Sequence, residues 1–262
     1  MLGSGLQALA RGLVDLVFPN RCGVCGSDRA GGAGGEFRHS LCAECHRAVT
    51  TDPHAACPFC AATVGPHADT STGCATCRGS SFVFDAAVRL GPYDGQLRDA
   101  VLRMKSIAGE GLAEQLGRVF WEARRCELSN RGFGVVVPVP LHWSRRFTRG
   151  YNQAEALGRE LALGLGIAFA KFALERVRNT PQQGQPTASA RRDNVKGAFR
   201  VARCASIAGK GVLLVDDVMT TGSTASEAAK TLKLAGAESV VVAVLARRQR
   251  WWELVRSCLT ER

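Results

Sequence analysis

Two adjacent carboxylates, Asp216 and Asp217, end a run of branched apolar residues that begins at Val212. Carboxylate oxygens accept hydrogen bonds from the hydroxyls of a polyol, and two neighbouring carboxylates are tolerated when such donors or a cation lie nearby. Hydroxyls and backbone N–H groups at the start of a helix can surround a phosphate, whose charge the helix dipole favours. The pattern therefore predicts a site for a phosphorylated sugar, with the phosphate bound by Thr220, Thr221, Gly222, Ser223 and Thr224.

A plain acidic turn with a helix N-cap would explain one aspartate and one threonine of this segment, but not the full set. The sequence contains neither Gly-x-x-x-x-Gly-Lys-Ser/Thr nor a strand-linked Gly-x-Gly-x-x-Gly. It therefore gives no support for a Walker-type nucleotidase or a Rossmann dinucleotide enzyme. Thr224 and Glu227 have the spacing of a capping box for the following helix, and Gly236 is its expected end.

Eight of the eleven cysteines form four Cys-x-x-Cys pairs in the first third of the chain. Two thiolates at this spacing can reach one tetrahedral ion, so four pairs predict two structural zinc sites with no open coordination position. Sequential pairing gives two zinc ribbons, although an interleaved, RING-like pairing would satisfy the same spacing. The predicted ligands are Cys22, Cys25, Cys42 and Cys45, then Cys57, Cys60, Cys74 and Cys77.

Three further cysteines, Cys126, Cys204 and Cys258, stand alone and are predicted to be small buried apolar residues. The cysteine-rich segment has few large apolar residues, so metal is expected to supply most of its stability. Structural zinc contributes on the order of 10–16 kcal/mol in small zinc-binding peptides.

The net charge of +11 is unevenly distributed along the 262 residues. Residues 1–80 carry six basic and six acidic residues, so the whole excess lies in residues 81–262. Such an excess favours an anionic ligand or a nucleic acid, although a solubilising surface would have the same composition.

The first residues do not predict a membrane span or a secretion signal. Leucines between Gly5 and Phe18 recur at helical spacing, but Arg11 and Asp15 interrupt the apolar run. An amphipathic helix that packs on the following module is the preferred interpretation, and a cytoplasmic location is expected.

After Cys77 the composition changes to alternating apolar strands and amphipathic helices. Gly211–Val215 and Ser239–Ala246 are continuous apolar segments with a helix between them, which predicts a βαβ unit in a parallel sheet. The expected architecture is an α/β domain at residues 81–262, preceded by an N-terminal helix and a double zinc ribbon at residues 1–80. Further strands are predicted at Phe82–Leu90, Gly134–Val139 and Phe172–Val177, and further helices at Gln96–Met104, Leu112–Arg125 and Asn152–Leu165.

Val212–Thr224 resembles the PRPP-binding signature of type I phosphoribosyltransferases, in which a strand leads to Asp-Asp and a Thr-Thr-Gly-x-Thr loop. Other segments make the chain similar to the ComF (ComFC-like) family, and together they cover nearly its whole length. These segments are Leu16–Cys25, Tyr93–Lys105, Val137–His142, Arg145–Gln153 and Arg191–Phe199.

The resemblance implies a type I phosphoribosyltransferase fold that binds PRPP with Mg²⁺. It implies that Asp216 and Asp217 hold the ribose hydroxyls and that Thr220–Thr224 bind the 5′-phosphate. The turn after Val139 would face the pyrophosphate, and residues 180–194 would form a closing loop. Pro186 stands in that loop where the family usually has an aliphatic residue.

Arg145, Arg146 and Arg149 place three positive charges within five residues. They suit a diphosphate or a nucleic acid backbone, and a solvated basic turn is the alternative. Tyr151 would add a stacking surface for single-stranded nucleic acid. Lys105 follows a predicted helix and is interpreted as complementing the dipole of that helix, outside the site.

Three functions remain open at the level of sequence. The chain is a Mg²⁺-dependent phosphoribosyltransferase, a single-stranded nucleic acid-binding module, or a zinc-held scaffold without catalysis. A role in DNA uptake (competence) or in nucleotide metabolism follows from the resemblance, with single-stranded DNA and competence or DNA-processing proteins as partners. The intact Asp216-Asp217 pair argues against the inactive scaffold.

Overall fold

The computed structural model describes residues 21–28, 41–141, 150–178, 193–203 and 205–249. The predicted N-terminal helix, Arg145, Arg146 and Arg149, and nearly all of the predicted closing loop lie outside these ranges. In the described part of the chain, no helix combines the length and hydropathy that a membrane span requires.

A five-stranded parallel sheet forms the centre of the fold, as the sequence predicts. Its strands are β1 (Ala86–Pro92), β2 (Phe133–Pro138), β3 (Ala168–Phe169), β6 (Gly211–Met219) and β7 (Ser239–Arg247). Their order across the sheet is β1-β7-β6-β2-β3. Two short strands, β4 (Leu174–Arg176) and β5 (Phe199–Val201), form a separate antiparallel pair.

The central strands β6 and β7 consist mainly of valine, leucine and alanine, which suit a sheet that is covered on both faces. Leu213 and Val215 contribute to the core on one face, and Val212 and Leu214 to the core on the other. Strand β6 continues beyond its predicted end at Val215 to Met219. Asp216 and Asp217 are therefore strand residues, and Asp216 pairs with Val244 of the neighbouring β7.

Helices cover both faces of the sheet. They are α1 (Ala43–Thr50), α2 (Ala75–Arg78), α3 (Gly95–Arg103), α4 (Glu110–Ser129), α5 (Gln153–Leu165) and α6 (Ser223–Leu234). Apolar side chains of α3, α4 and α5 fill the core on one face, and α6 packs with β4 and β5 on the other. The predicted helices after the cysteine-rich segment are confirmed, with ends shifted by a few residues.

Buried arginine Arg89 of β1 joins the cysteine-rich segment to the sheet. Its guanidinium donates to Asp52 Oδ2 at 2.9 Å, to the Ala61 carbonyl at 3.0 Å and to Thr63 Oγ1 at 2.7 Å. Only 2% of the Arg89 surface is exposed, so the ion pair with Asp52 lies within the protein. The domain boundary near residue 80 stays a prediction, but these contacts show that the two segments pack together.

Candidate phosphate site and metal centres

The eight paired cysteines form two clusters of four thiols each. In each cluster all four Sγ atoms lie within 4.8 Å of one another. The distance is 3.8 Å between Cys25 Sγ and Cys42 Sγ and 3.5 Å between Cys60 Sγ and Cys74 Sγ. Four thiolates about 2.3 Å from a tetrahedral zinc lie about 3.8 Å apart, so both clusters fit the ion. The first cluster is Cys22, Cys25, Cys42 and Cys45, and the second cluster is Cys57, Cys60, Cys74 and Cys77.

This grouping is the sequential one, which settles the pairing that the sequence left open. The thiols of the second cluster perturb each other strongly. A hydrogen bond from the Cys60 side chain lowers the pKa of Cys57, and the same contact raises the pKa of Cys60. Stabilising one thiolate at the expense of its neighbour is the electrostatic problem that a shared divalent cation removes.

The carboxylates of Asp216 and Asp217 stand where β6 approaches its end. Each accepts a hydrogen bond from the next backbone N–H: Asp217 N lies 2.8 Å from Asp216 Oδ1, and Val218 N lies 2.7 Å from Asp217 Oδ1. Both side chains are partly exposed. These bonds fix the two carboxylates at the carboxyl edge of the sheet, which is where open α/β sheets bind ligands.

Asp216 has an unusual titration. Burial and the adjacent charge of Asp217 raise its pKa from 3.8 to about 8. Although some of its surface reaches solvent, the dense protein around it disfavours the charged carboxylate. A hydrogen-bond donor or a cation supplied by a ligand would stabilise the charged form of this carboxyl group.

Lys105 supplies a positive charge to this pair, although its position in the sequence predicts a place outside the site. Its Nζ lies 2.9 Å from Asp217 Oδ2, and the two side chains are 27% and 18% exposed. Lys105 comes shortly after α3, so the turn that follows the helix directs the ammonium to the end of β6. Its interpretation as a helix-dipole partner alone is therefore wrong.

The segment from Thr220 to Ser223 leads from β6 into α6 and is called the phosphate loop below. Gly222 has φ +77° and is the N-cap of α6. Thr221 Oγ1 lies 2.9 Å from Ser223 Oγ and accepts from Ser223 N at 3.4 Å. The loop thus brings two hydroxyls together at the N-terminus of a 12-residue helix, where an anion is favoured.

The predicted capping box of Thr224 and Glu227 is wrong, because α6 has Gly222 as its N-cap and begins two residues earlier than this pattern requires. Glu227 instead accepts a hydrogen bond from Gly197 N at 2.7 Å. The N-cap residue Gly222 has no side chain that could accept from the helix, and the N–H of Ser223, the first helical residue, bonds to Thr221 Oγ1 within the loop.

The turn after β2 lies beside the two aspartates. Val139 N donates to the Val215 carbonyl at 2.8 Å, one residue before Asp216. Asn152 Nδ2 donates to the Val139 carbonyl at 3.0 Å, while its Oδ1 accepts from Ala154 N and caps α5. Asn152 therefore ties this turn to α5, a role that its place in the sequence did not reveal.

Tyr151 does not form a stacking surface, contrary to the sequence-based interpretation. Its side chain is buried, and its hydroxyl donates to the Met104 carbonyl. This bond anchors the residue immediately before Lys105, which links the position of the Lys105 ammonium to the start of α5.

Curated relatives resemble this chain over most of its length. Competence protein F of Haemophilus influenzae is 31% identical over 214 residues, which cover 80% of this chain and 91% of the relative. The DNA utilization protein YhgH of Salmonella typhimurium is 33% identical over 239 residues, covering 88% of this chain and 99% of the relative. The chain belongs to the ComF family.

Two family models match separate parts of this ComF chain. A double zinc ribbon domain matches residues 13–78, and a phosphoribosyl transferase domain matches residues 149–261. The chain therefore has a type I phosphoribosyltransferase-like fold with an N-terminal zinc ribbon, as the resemblance implied.

Solved structures also align with about half of the ComF chain. Glutamine PRPP amidotransferase from B. subtilis aligns at 23% identity and a TM-score of 0.35, covering 52% of this chain and 27% of its own. Adenine phosphoribosyltransferase from Saccharomyces cerevisiae aligns at 19% identity and a TM-score of 0.33, covering 56% and 73%. The family assignment stands on the sequence relatives and the family models.

Proposed function

We propose that this ComF protein binds PRPP at the end of β6. The observation that carries the proposal is the junction of β6 and α6, where two fixed carboxylates are followed by a hydroxyl-rich loop at a helix N-terminus whose N-cap residue is Gly222. Carboxylates suit ribose hydroxyls, and the helix N-terminus suits a phosphate. A phosphorylated sugar presents both groups at the required positions.

Each end of PRPP has a partner in this arrangement. Asp216 and Asp217 accept hydrogen bonds from the ribose hydroxyls, and Thr220, Thr221, Gly222, Ser223 and Thr224 receive the 5′-phosphate. The turn at Val139, beside Asp216, faces the pyrophosphate. Mg²⁺ bound with PRPP would neutralise the diphosphate, and the oxygen-rich aspartate pair fits a hard cation.

The reaction proposed for the site is transfer of phosphoribose from PRPP to a nitrogenous acceptor. The chain's own part is to hold the ribose and the phosphate while negative charge develops on the departing diphosphate. Lys105, which is ion-paired with Asp217, adds a positive charge to this site. Eight thiols held as zinc ligands are typical of a reducing compartment, which favours a cytoplasmic location.

Calorimetry with PRPP and Mg²⁺ tests the binding step. We expect wild-type protein to bind, and Asp216→Asn combined with Asp217→Asn to lose at least about tenfold in affinity, since the double variant removes both carboxyl groups that accept from the ribose hydroxyls. Asp99→Asn is the matched control, because Asp99 is an exposed residue of α3. Absence of binding by the wild type, or equal binding by the double variant, would refute the proposal.

A second proposal is contact with single-stranded DNA in DNA uptake or utilization. The relatives are named for competence and DNA utilization, and the whole positive excess lies in residues 81–262. Buried Tyr151 removes one predicted stacking surface, which leaves charge as the main support. If phosphate contacts bind the DNA, the logarithm of affinity falls linearly with the logarithm of salt concentration. Arg145→Ala, Arg146→Ala and Arg149→Ala together should reduce that slope, and a flat salt dependence in the wild type would exclude the proposal.

A further inference from the structure

Arg247 connects the second cluster to the phosphate loop. This arginine ends β7 and is 2% exposed. Its Nε donates to the carbonyl of Cys60, a ligand of the second cluster, at 3.1 Å. Its Nη1 donates at 3.1 Å to the carbonyl of Met219, the residue that precedes the loop. One rigid guanidinium therefore fixes the distance between a metal ligand and the residue that precedes the loop.

Phe82 makes a second connection between the same two places. Its ring packs against the buried apolar group that includes Cys57, Cys60 and Cys74 of the second cluster. The same ring presses on Gly222, where an added Cβ would lie 2.6 Å from Phe82 Cε1. Phe84 stacks behind it with ring centroids 4.8 Å apart, so the ring cannot withdraw easily.

A backbone contact extends the support into α6. Val83 N donates to Ser226 Oγ at 3.2 Å, in the first turn of that helix. The chain that leaves the second cluster after Cys77 thus contacts the loop glycine and the helix that follows it. The residue before the phosphate loop (Met219) and the loop glycine (Gly222) are therefore both connected to the second cluster.

The first cluster has a different environment. Cys22 and Cys45 belong to the core on the opposite face of the sheet from Met219 and Phe82. Gly23 of this cluster packs against Leu112 of α4. Both clusters suit zinc, but the described contacts with the phosphate loop come from the second cluster. Removing zinc from the first cluster is therefore a control for removing it from the second.

We propose that Arg247 and Phe82 are positioning residues that transmit zinc occupancy of the second cluster to the phosphate loop. A metal-filled cluster fixes the Cys60 carbonyl and the wall behind Phe82, and these hold Met219 and Gly222 in the arrangement that receives an anion. Loss of that zinc releases the loop, whereas loss of zinc from the first cluster leaves it in place. The consequence for ligand affinity rests on the proposed function, but the consequence for loop order does not.

Hydrogen exchange of the full-length protein tests loop order without any ligand. Cys77→Ser removes one ligand of the second cluster, and Cys25→Ser is the matched change in the first. The reporter is Ser226 N–H, which bonds to the Gly222 carbonyl at 2.8 Å. We expect exchange in this turn to be at least about tenfold faster in Cys77→Ser than in Cys25→Ser. Equal exchange in the two variants would overturn the proposal, whether or not the protein binds PRPP.

A second test keeps all zinc ligands intact and uses the reciprocity of linked binding. With Mg²⁺ and PRPP bound, the affinity of the wild type for one of the two zincs should rise by roughly tenfold, and equilibrium competition with a chelator measures this protection. Arg247→Gln should abolish this protection. Arg89→Gln combined with Asp52→Asn is the control, because it also removes a buried arginine between the cysteine module and the sheet, but its hydrogen bonds run to Asp52, Ala61 and Thr63.

The outcomes of the second test separate the two proposals. If PRPP does not bind, the proposed function fails and hydrogen exchange alone decides the positioning role. If PRPP binds but raises the affinity for neither zinc, or raises it equally in Arg247→Gln, the link between the second cluster and the loop is wrong. Phe82→Leu serves as the alternative variant should Arg247→Gln not fold, and it is expected to weaken the protection.

Discussion

Lys105 Nζ lies 2.9 Å from Asp217 Oδ2 and places a positive charge on the acidic pair of the candidate site. The Lys105 charge also lowers the pKa of Asp216, against the stronger effects of burial and of Asp217. In the absence of ligand, the ammonium therefore reduces the repulsion between two carboxylates that the fold forces together.

Replacing Lys105 should destabilise the protein through Asp217. We expect Lys105→Met to lower the free energy of unfolding by about 1 kcal/mol at neutral pH, as for a partly exposed ion pair. Denaturant titration of the two single variants and the double variant with Asp217→Asn measures the coupling. If the two single effects add without coupling, the ion pair does not contribute in solution.

Asp216 should make stability fall as pH rises. Its pKa is raised from 3.8 to about 8 in the folded chain. Between these values the unfolded chain has released the proton that the folded chain keeps, so unfolding becomes easier by up to about 1.4 kcal/mol per pH unit. The effect is absent below the unfolded pKa and complete above the folded one.

Denaturant titrations at about pH 6 and about pH 8 give the change in the free energy of unfolding over this range, and comparing variants isolates the contribution of Asp216. The loss of stability over this range should be smaller in Asp216→Asn than in the wild type, because the amide does not titrate. Asp99→Asn, at an exposed position of α3, should keep the wild-type slope. The same slope in all three proteins would show that Asp216 titrates normally.

The sequence predicted the parts of the site that are local in the chain. Val212–Thr224 holds a strand, an acidic pair and a helix start in order, so local patterns suffice to locate them. The cysteine pairs are equally local, and their geometry confirms the sequential grouping. Branched apolar runs also indicated the parallel sheet, because burial on both faces leaves a continuous signature.

Contacts between distant segments were not predictable in the same way. Lys105, Tyr151 and Asn152 owe their roles to partners on other elements, and their own neighbours in sequence suggested surface functions. The same holds for Cys126, which was predicted to be buried and is exposed on α4. The sequence gives no sign that Arg89 and Arg247 are buried, because their burial depends on packing against the cysteine-rich segment.

Gly222 should tolerate alanine worse than a glycine with similar backbone geometry elsewhere. A Cβ at Gly222 meets Phe82 at 2.6 Å, and its φ of +77° strains any other residue. Gly132 has φ +64°, and among the described residues no atom outside its immediate chain neighbours comes within 4 Å of an added Cβ. We expect Gly132→Ala to cost about 1 kcal/mol and Gly222→Ala about 1–3 kcal/mol more.

Thermal or denaturant unfolding of both glycine variants gives the comparison. The difference between them isolates the contact with the Phe82 ring, since the backbone strain is common to both. Phe82→Ala in the Gly222→Ala background should recover part of the loss by removing the clash. Equal destabilisation at the two glycines would mean that the ring does not press on the loop.

Metal analysis should give two zinc ions per chain, with one removed by each disrupted cluster. Cys60→Ser is expected to bind one, because the fully buried Cys60 thiol lies 3.5 Å from Cys74 Sγ and closes the second cluster. Cys126→Ser should keep both, since this exposed thiol belongs to neither cluster. Structural zinc contributes on the order of 10–16 kcal/mol in small zinc-binding peptides, so chelation should unfold the ribbons while the sheet retains its own core. Fewer than two zincs in the wild type, or loss of zinc in Cys126→Ser, would contradict the assignment of the ligands.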